Sequence, residues 1–150
     1  MRISDVLFPG VVVHESAHAL ACLVCGVSVH RVEVHRDRGV VVHDPAKVRS
    51  TLLIGLAPLV LGSGMAFLLF QTSKKLVPSD MAGGIFFAWL GVSIAAHSIP
   101  SYADMRNIPR AAHRRWKELW NDPHSLATKL LKSPLYALIW LAGWVTALLS

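Results

Sequence analysis

Four apolar stretches dominate the pattern of hydrophobic and polar positions, and none of them contains a lysine or an arginine. They cover residues 6–27, 51–70, 81–100 and 134–149. The first three reach or approach the ~20 residues that a helix needs to cross the hydrocarbon core of a bilayer, and the fourth is shorter. Helices of a soluble bundle would carry a polar stripe, which these stretches lack. The pattern therefore predicts a mainly α fold: a polytopic membrane helix bundle of about four transmembrane helices, forming a single domain over residues 1–150.

A valine-rich segment follows the first apolar stretch. Residues 28–35 and 40–43 have the composition of two short strands, and Arg36-Asp37-Arg38-Gly39 between them has the composition of a turn. An irregular loop is the alternative. We expect a short β-hairpin directly after the first helix.

Charge adds an orientation to this picture. The chain is 53% hydrophobic and only 16% charged, yet its formal net charge is +6. Twelve of its 15 lysines and arginines lie between the first and second stretches or between the third and fourth. The positive-inside rule places both connectors, and with them the hairpin, on the cytosolic side. The basic residues 110–117 are expected to meet the lipid bilayer through anionic headgroups, and no nucleic-acid partner is expected. With two cysteines, the chain has no disulfide framework to predict.

The first stretch also carries a candidate metal site. His14-Glu15-Ser16-Ala17-His18 is an HExxH motif. On a helix, positions i and i+4 share one face, so two imidazoles can converge on one metal ion while Glu15 lies beside them as a base. The alternative is a pair of histidines packed within a bundle, but a carboxylate inside a membrane helix is costly and is usually retained for function.

A catalytic zinc site needs a third protein ligand. Asp104 is the best candidate, because it follows the third stretch on the same side of the membrane as the end of the first. Pro100 would break the helix there and allow the chain to turn an acid inward. Asp104 could instead be a solvated loop residue or pair with Arg106. His97 is the second candidate, either as a ligand or as a hydrogen-bond partner of a ligand.

These features together resemble the site-2 protease family, the zinc intramembrane metalloproteases. The resemblance starts from the HExxH helix and its valine-rich hairpin. Gly55-Leu56-Ala57-Pro58-Leu59 is similar to the small-residue and proline motif on the family's next core helix, and the segment from Pro100 to Asp104 is similar to its third motif. The resemblance covers residues 8–108. The family's aspartate usually stands between leucine and glycine, whereas this chain has Ala103-Asp104-Met105. The connector between the second and third stretches has ten residues, so the chain resembles a minimal member without a PDZ domain.

The resemblance implies a zinc-dependent intramembrane endopeptidase that hydrolyses peptide bonds of membrane-spanning substrates by metal-activated water. It assigns Zn²⁺ to His14, His18 and Asp104 and the general base to Glu15. It also implies a multi-pass protein of the cell membrane with its active site toward the cytosolic side. An extended substrate could add to the hairpin edge as a further strand. The alternative function is a non-proteolytic metal-binding membrane protein, a degenerate homologue that acts as a scaffold or regulator. The intact Glu15 favours the enzyme, because a pure metal site has no need of a base.

Overall fold

In the computed structural model, residues 6–35, 38–121 and 126–149 can be described. This part of the chain is mainly helical, as predicted, and its elements follow one another in a simple order. They are α1 (Phe8–Val24), β1 (Val29–Val34), β2 (Gly39–His43), α2 (Val48–Leu76), α3 (Met81–His97), α4 (Tyr102–Asn121) and α5 (Leu126–Leu149).

The predicted hairpin is confirmed. β1 and β2 pair antiparallel, from Val29 opposite His43 to Val34 opposite Gly39, with an irregularity in register near the open end. The predicted turn at 36–39 is only partly visible, since residues 36 and 37 lie outside the described residues. Gly26, with φ of 65°, connects α1 to the hairpin. Its N–H donates to Leu23 and that of Val27 to Cys22, which is the arrangement that ends many helices at a glycine.

Two helix boundaries differ from the predicted ones. The polar residues 71–76 do not form a connector, because α2 continues through them to Leu76. Lys74 and Lys75 occupy its last turn, where positive charge interacts favourably with the helix dipole. The fourth helix is longer than predicted, because α5 begins at Leu126 and contains Pro134. Asp122 and Pro123, a pair typical of a helix break, lie outside the described residues, between the end of α4 and the start of α5.

The chain divides into two compact units, which we describe separately. The first unit comprises residues 6–35, 38–44 and 56–99 of the described chain. In it, α1 contacts both α3 and the hairpin. At the open end of the hairpin, His30 Nε2 lies 2.7 Å from Asp44 Oδ1. This hydrogen bond holds the pKa of the exposed Asp44 carboxyl below its usual value.

The second unit comprises residues 45–55, 100–121 and 126–149 of the described chain. Its centre is the contact between α4 and α5. Met105 and Ile108 of α4 are buried and pack with Leu52 and Ile139. On the opposite face of α4, Arg110, Arg114 and Lys117 are exposed. The unit thus has an apolar core on one side of α4 and a basic surface on the other.

Two helical stretches are long and apolar enough to cross a membrane. They are Val48–Leu76, which is α2, and Met81–Glu118, which comprises α3, the break after it and most of α4. α1 is apolar but shorter, at 17 residues. Large apolar side chains on these helices are well exposed, among them Leu23 at 70%, Val60 at 68% and Ile85 at 61%. Such a surface is unfavourable in water and favourable in lipid. The number of spans stays a prediction.

Candidate metal centre

The HExxH residues lie near the middle of α1, and its two histidines meet. His14 Nε2 and His18 Nε2 are 3.1 Å apart, and the ring centroids are 4.7 Å apart with the planes at 78°. The four-residue spacing puts the rings one turn apart on one face, as predicted. Zn–N bonds of 2.0–2.1 Å in a tetrahedral site imply a separation of about 3.3 Å between two ligand nitrogens. The pair of imidazoles therefore fits a shared zinc ion.

A backbone carbonyl orients the first of these rings. His14 Nδ1 lies 2.5 Å from the carbonyl oxygen of His97, the last residue of α3. Carbonyls in the last turn of a helix have no partner within the helix, so this one can accept a hydrogen bond from the Nδ1–H of His14. With the proton on Nδ1, the Nε2 of His14 carries the lone pair that a metal requires. His97 thus contacts His14 through its backbone, while its own ring Nδ1 lies 2.9 Å from the carbonyl of Ser93.

Sequence reasoning missed Ser93, which joins α3 to the start of α1. Its hydroxyl accepts from the N–H of Gly10 at 2.9 Å and donates to the carbonyl of Leu7 at 2.8 Å. Ser93 is fully buried. A hydroxyl in an apolar helix is a recognisable signal of helix packing, but the partner lies more than 80 residues away and cannot be identified from spacing. This pair of hydrogen bonds ties α1 to the helix whose end faces His14.

Glu15 is buried, with 6% of its surface exposed. The first residue of β2, Gly39, lies directly against its side chain. A Cβ atom built on Gly39 would overlap the Cγ, Cδ and Oε1 atoms of Glu15. The hairpin therefore packs onto the carboxylate that the sequence predicts to be the general base.

Asp104 belongs to the second unit, and there it lies in the first turn of α4. Its Oδ2 accepts from both the N–H and the hydroxyl of Ser101, each at 2.7 Å, and its own N–H lies 3.3 Å from the Ser101 hydroxyl. This reciprocal arrangement is a capping box. The predicted helix break at Pro100 is confirmed, since α3 ends at His97 and α4 starts at Tyr102. The Arg106 guanidinium lies 5.6 Å from the centre of the Tyr102 ring.

The capping box explains the position of one oxygen of the Asp104 carboxylate, and its spacing is visible in the sequence. Ser-x-x-Asp is a known start of a helix, and residues 101–104 have that spacing. The interaction holds one carboxylate oxygen in place without neutralising the group. Both bonds from Ser101 go to Oδ2, whereas a carboxylate offers two oxygens as acceptors or metal ligands.

Comparison with known proteins gives the family. The chain matches the family described as Peptidase M50B-like over residues 8–102, which is more than half of its length. No curated protein and no solved structure matches it. The matched range includes the HExxH helix, the hairpin, α2 and α3, and it ends just before Asp104. The chain thus belongs to the Peptidase M50B-like family and is a member of the site-2 proteases, which are membrane metalloproteases.

Proposed function

We propose that this protein is a zinc-dependent intramembrane endopeptidase. The observation that carries the proposal is the group on α1: two imidazole nitrogens 3.1 Å apart, with a buried glutamate adjacent to them in the sequence. Membership in a family of membrane metalloproteases supports it. The exposed apolar side chains of the first unit's helices support a location in the bilayer.

His14 and His18 would hold the metal from α1, and Asp104 would be the third protein ligand. Three protein ligands leave one position open, which is the pattern of catalytic zinc sites. A bound zinc ion supplies a Lewis acid that polarises the carbonyl of the scissile bond and makes water more acidic. The hydrogen bond from His14 Nδ1 to the His97 carbonyl would maintain the ligand tautomer through the reaction.

Glu15 would act as the general base and then as the general acid. Its carboxylate takes a proton from the water that attacks the peptide carbonyl, and it returns that proton to the amine that leaves. Its burial restricts its position, which suits proton transfer because this step requires a short and fixed reach. A metal site that only binds would not need a carboxylate next to its ligands.

The substrates would be membrane-spanning proteins. A transmembrane helix hides its peptide bonds in its own hydrogen bonds, so the segment to be cut must first become extended. The hairpin offers strand edges to which an extended segment could add by backbone hydrogen bonds. Val40 and Val42 of β2 are exposed beside that backbone and could contact apolar substrate side chains. The charge distribution supports a multi-pass protein whose active site faces the cytosol.

The test is to purify the protein in detergent, measure its bound metal, and assay cleavage of a synthetic transmembrane peptide. We expect Glu15→Gln to retain metal and to lose cleavage, because the amide cannot accept the proton. Glu118→Gln, on the exposed surface of α4, is the matched control and should cleave like the wild type.

Cleavage by Glu15→Gln at the wild-type rate would refute the catalytic role. A wild-type protein that binds zinc stoichiometrically but cleaves no membrane-spanning peptide would favour the non-proteolytic alternative.

A further inference from the structure

The contact between Gly39 and Glu15 joins the hairpin to the candidate base. Gly39 is the first residue of β2 and pairs with Val34 of β1. A Cβ at this position would overlap three atoms of the Glu15 side chain. The required property is space, because the backbone of Gly39 does not adopt a positive φ.

The pairing makes this contact rigid. Gly39 is held by the ladder between β1 and β2, and the hairpin in turn contacts α1. A larger residue could be accommodated only if the strand moved away from α1 or the carboxylate moved from its present rotamer. Because the rate of proton transfer depends on the distance between the base and the water, either movement would lower kcat.

We propose that Gly39 is a positioning residue: the backbone at the start of β2 forms a wall that holds the Glu15 carboxylate in its working position. The inference rests on the proposed function, since it assigns the hairpin a second role beside substrate docking. In this role the strand acts on the base itself and does so whether or not a substrate occupies its edge.

The first test is kinetic. Gly39→Ala should lower kcat by about 10²-fold, the effect of displacing a catalytic group by roughly 1 Å, while KM and bound zinc remain at wild-type values. Gly64→Ala is the matched control, because a Cβ at Gly64 meets no atom within 4 Å. A rise in KM with unchanged kcat would overturn the proposal and assign Gly39 to substrate docking alone.

A stability cycle tests the contact without any cleavage. Gly39→Ala should lower the melting temperature of the protein in detergent when Glu15 is present, and should leave it unchanged in a Glu15→Ala background. Equal losses in both backgrounds would overturn the proposal, and folding of only the double variant would support it. If Glu15→Gln cleaved normally, the proposed function would fail, but this cycle would still report on the contact.

Discussion

The two units of the chain place polar groups in opposite ways. In the first unit the surface of the helices is largely apolar, and polar groups are buried: Ser73 and Ser93 are each less than a tenth exposed, and each hydrogen-bonds a backbone group of another helix. In the second unit, α4 buries Met105 and Ile108 and exposes Arg110 and Lys117. Among the described helices, α4 follows the amphipathic pattern of a helix that borders water, whereas α5 of the same unit exposes apolar side chains such as Leu135 and Leu138.

The difference between α4 and the helices of the first unit is the one that water and lipid as solvents would produce. Apolar association provides little driving force between helices in lipid, so hydrogen bonds and close packing have to hold such helices together. At a boundary with water, burial of apolar side chains stabilises the packing instead. We therefore expect the first unit to be most sensitive to loss of its buried hydrogen bonds and the second to loss of its apolar core.

The largest effect should come from the core of the second unit. Ile108 is 5% exposed and packs in the cluster with Met105. Ile108→Ala should lower the free energy of unfolding of this unit by about 2–5 kcal/mol, the usual cost of such a truncation. Hydrogen exchange of the α4 amides in detergent would measure it. Leu138→Ala, at a 65% exposed position of α5, is the matched control and should have little effect. Equal effects of the two variants would mean that this unit is not held by its apolar core.

A smaller effect is expected from the buried hydroxyl of the first unit. Ser93→Ala removes the hydrogen bonds to Leu7 and Gly10 and should cost about 1–3 kcal/mol, which thermal melting would detect. The control is Ser79→Ala, whose hydroxyl is exposed. Because Ser93 ties α1 to the helix whose last carbonyl contacts His14, zinc affinity should fall as well, by about tenfold, the lower end of the effect of losing a ligand's own hydrogen-bond partner. A stable variant with unchanged zinc affinity would contradict this role.

Local patterns predicted much of this molecule. The HExxH helix, the hairpin and the break near Pro100 each depend on residues within one short segment, and all three are present. The boundaries of α2 and α5 are harder to predict. Polar residues such as Gln71 and Thr72 have the composition of a connector, yet they fit within a helix that has already formed. Local pattern says where an element occurs more reliably than where it ends.

The long-range features could not be predicted in the same way. The His97 carbonyl and the Ser93 hydroxyl reach α1 from residues more than 80 positions away, and any residue has a carbonyl. The fit of Gly39 against Glu15 depends on which face the hairpin presents to α1, which no spacing encodes. For the candidate site, the sequence thus indicates the candidate ligands and the candidate base, while contacts between distant segments set the orientation of their side chains.

The smallest expected effect concerns the basic face of α4. A comparison of anionic with zwitterionic lipid can test whether this face lies where the membrane meets water. A lysine or arginine near an anionic membrane surface contributes about 1 kcal/mol of attraction. Lys117→Gln should therefore reduce the extra thermal stability that the protein gains in nanodiscs with anionic lipid over zwitterionic lipid, and high salt should abolish the difference. Lys74→Gln serves as the control. It removes the same charge at the end of α2, on the side that the charge distribution places away from the cytosol.

If both variants lost the extra stability in anionic lipid equally, the effect would reflect net charge, and the basic face of α4 would have no specific contact with headgroups. A loss confined to Lys117→Gln would support a helix that lies at the lipid surface, with its apolar side turned to α5.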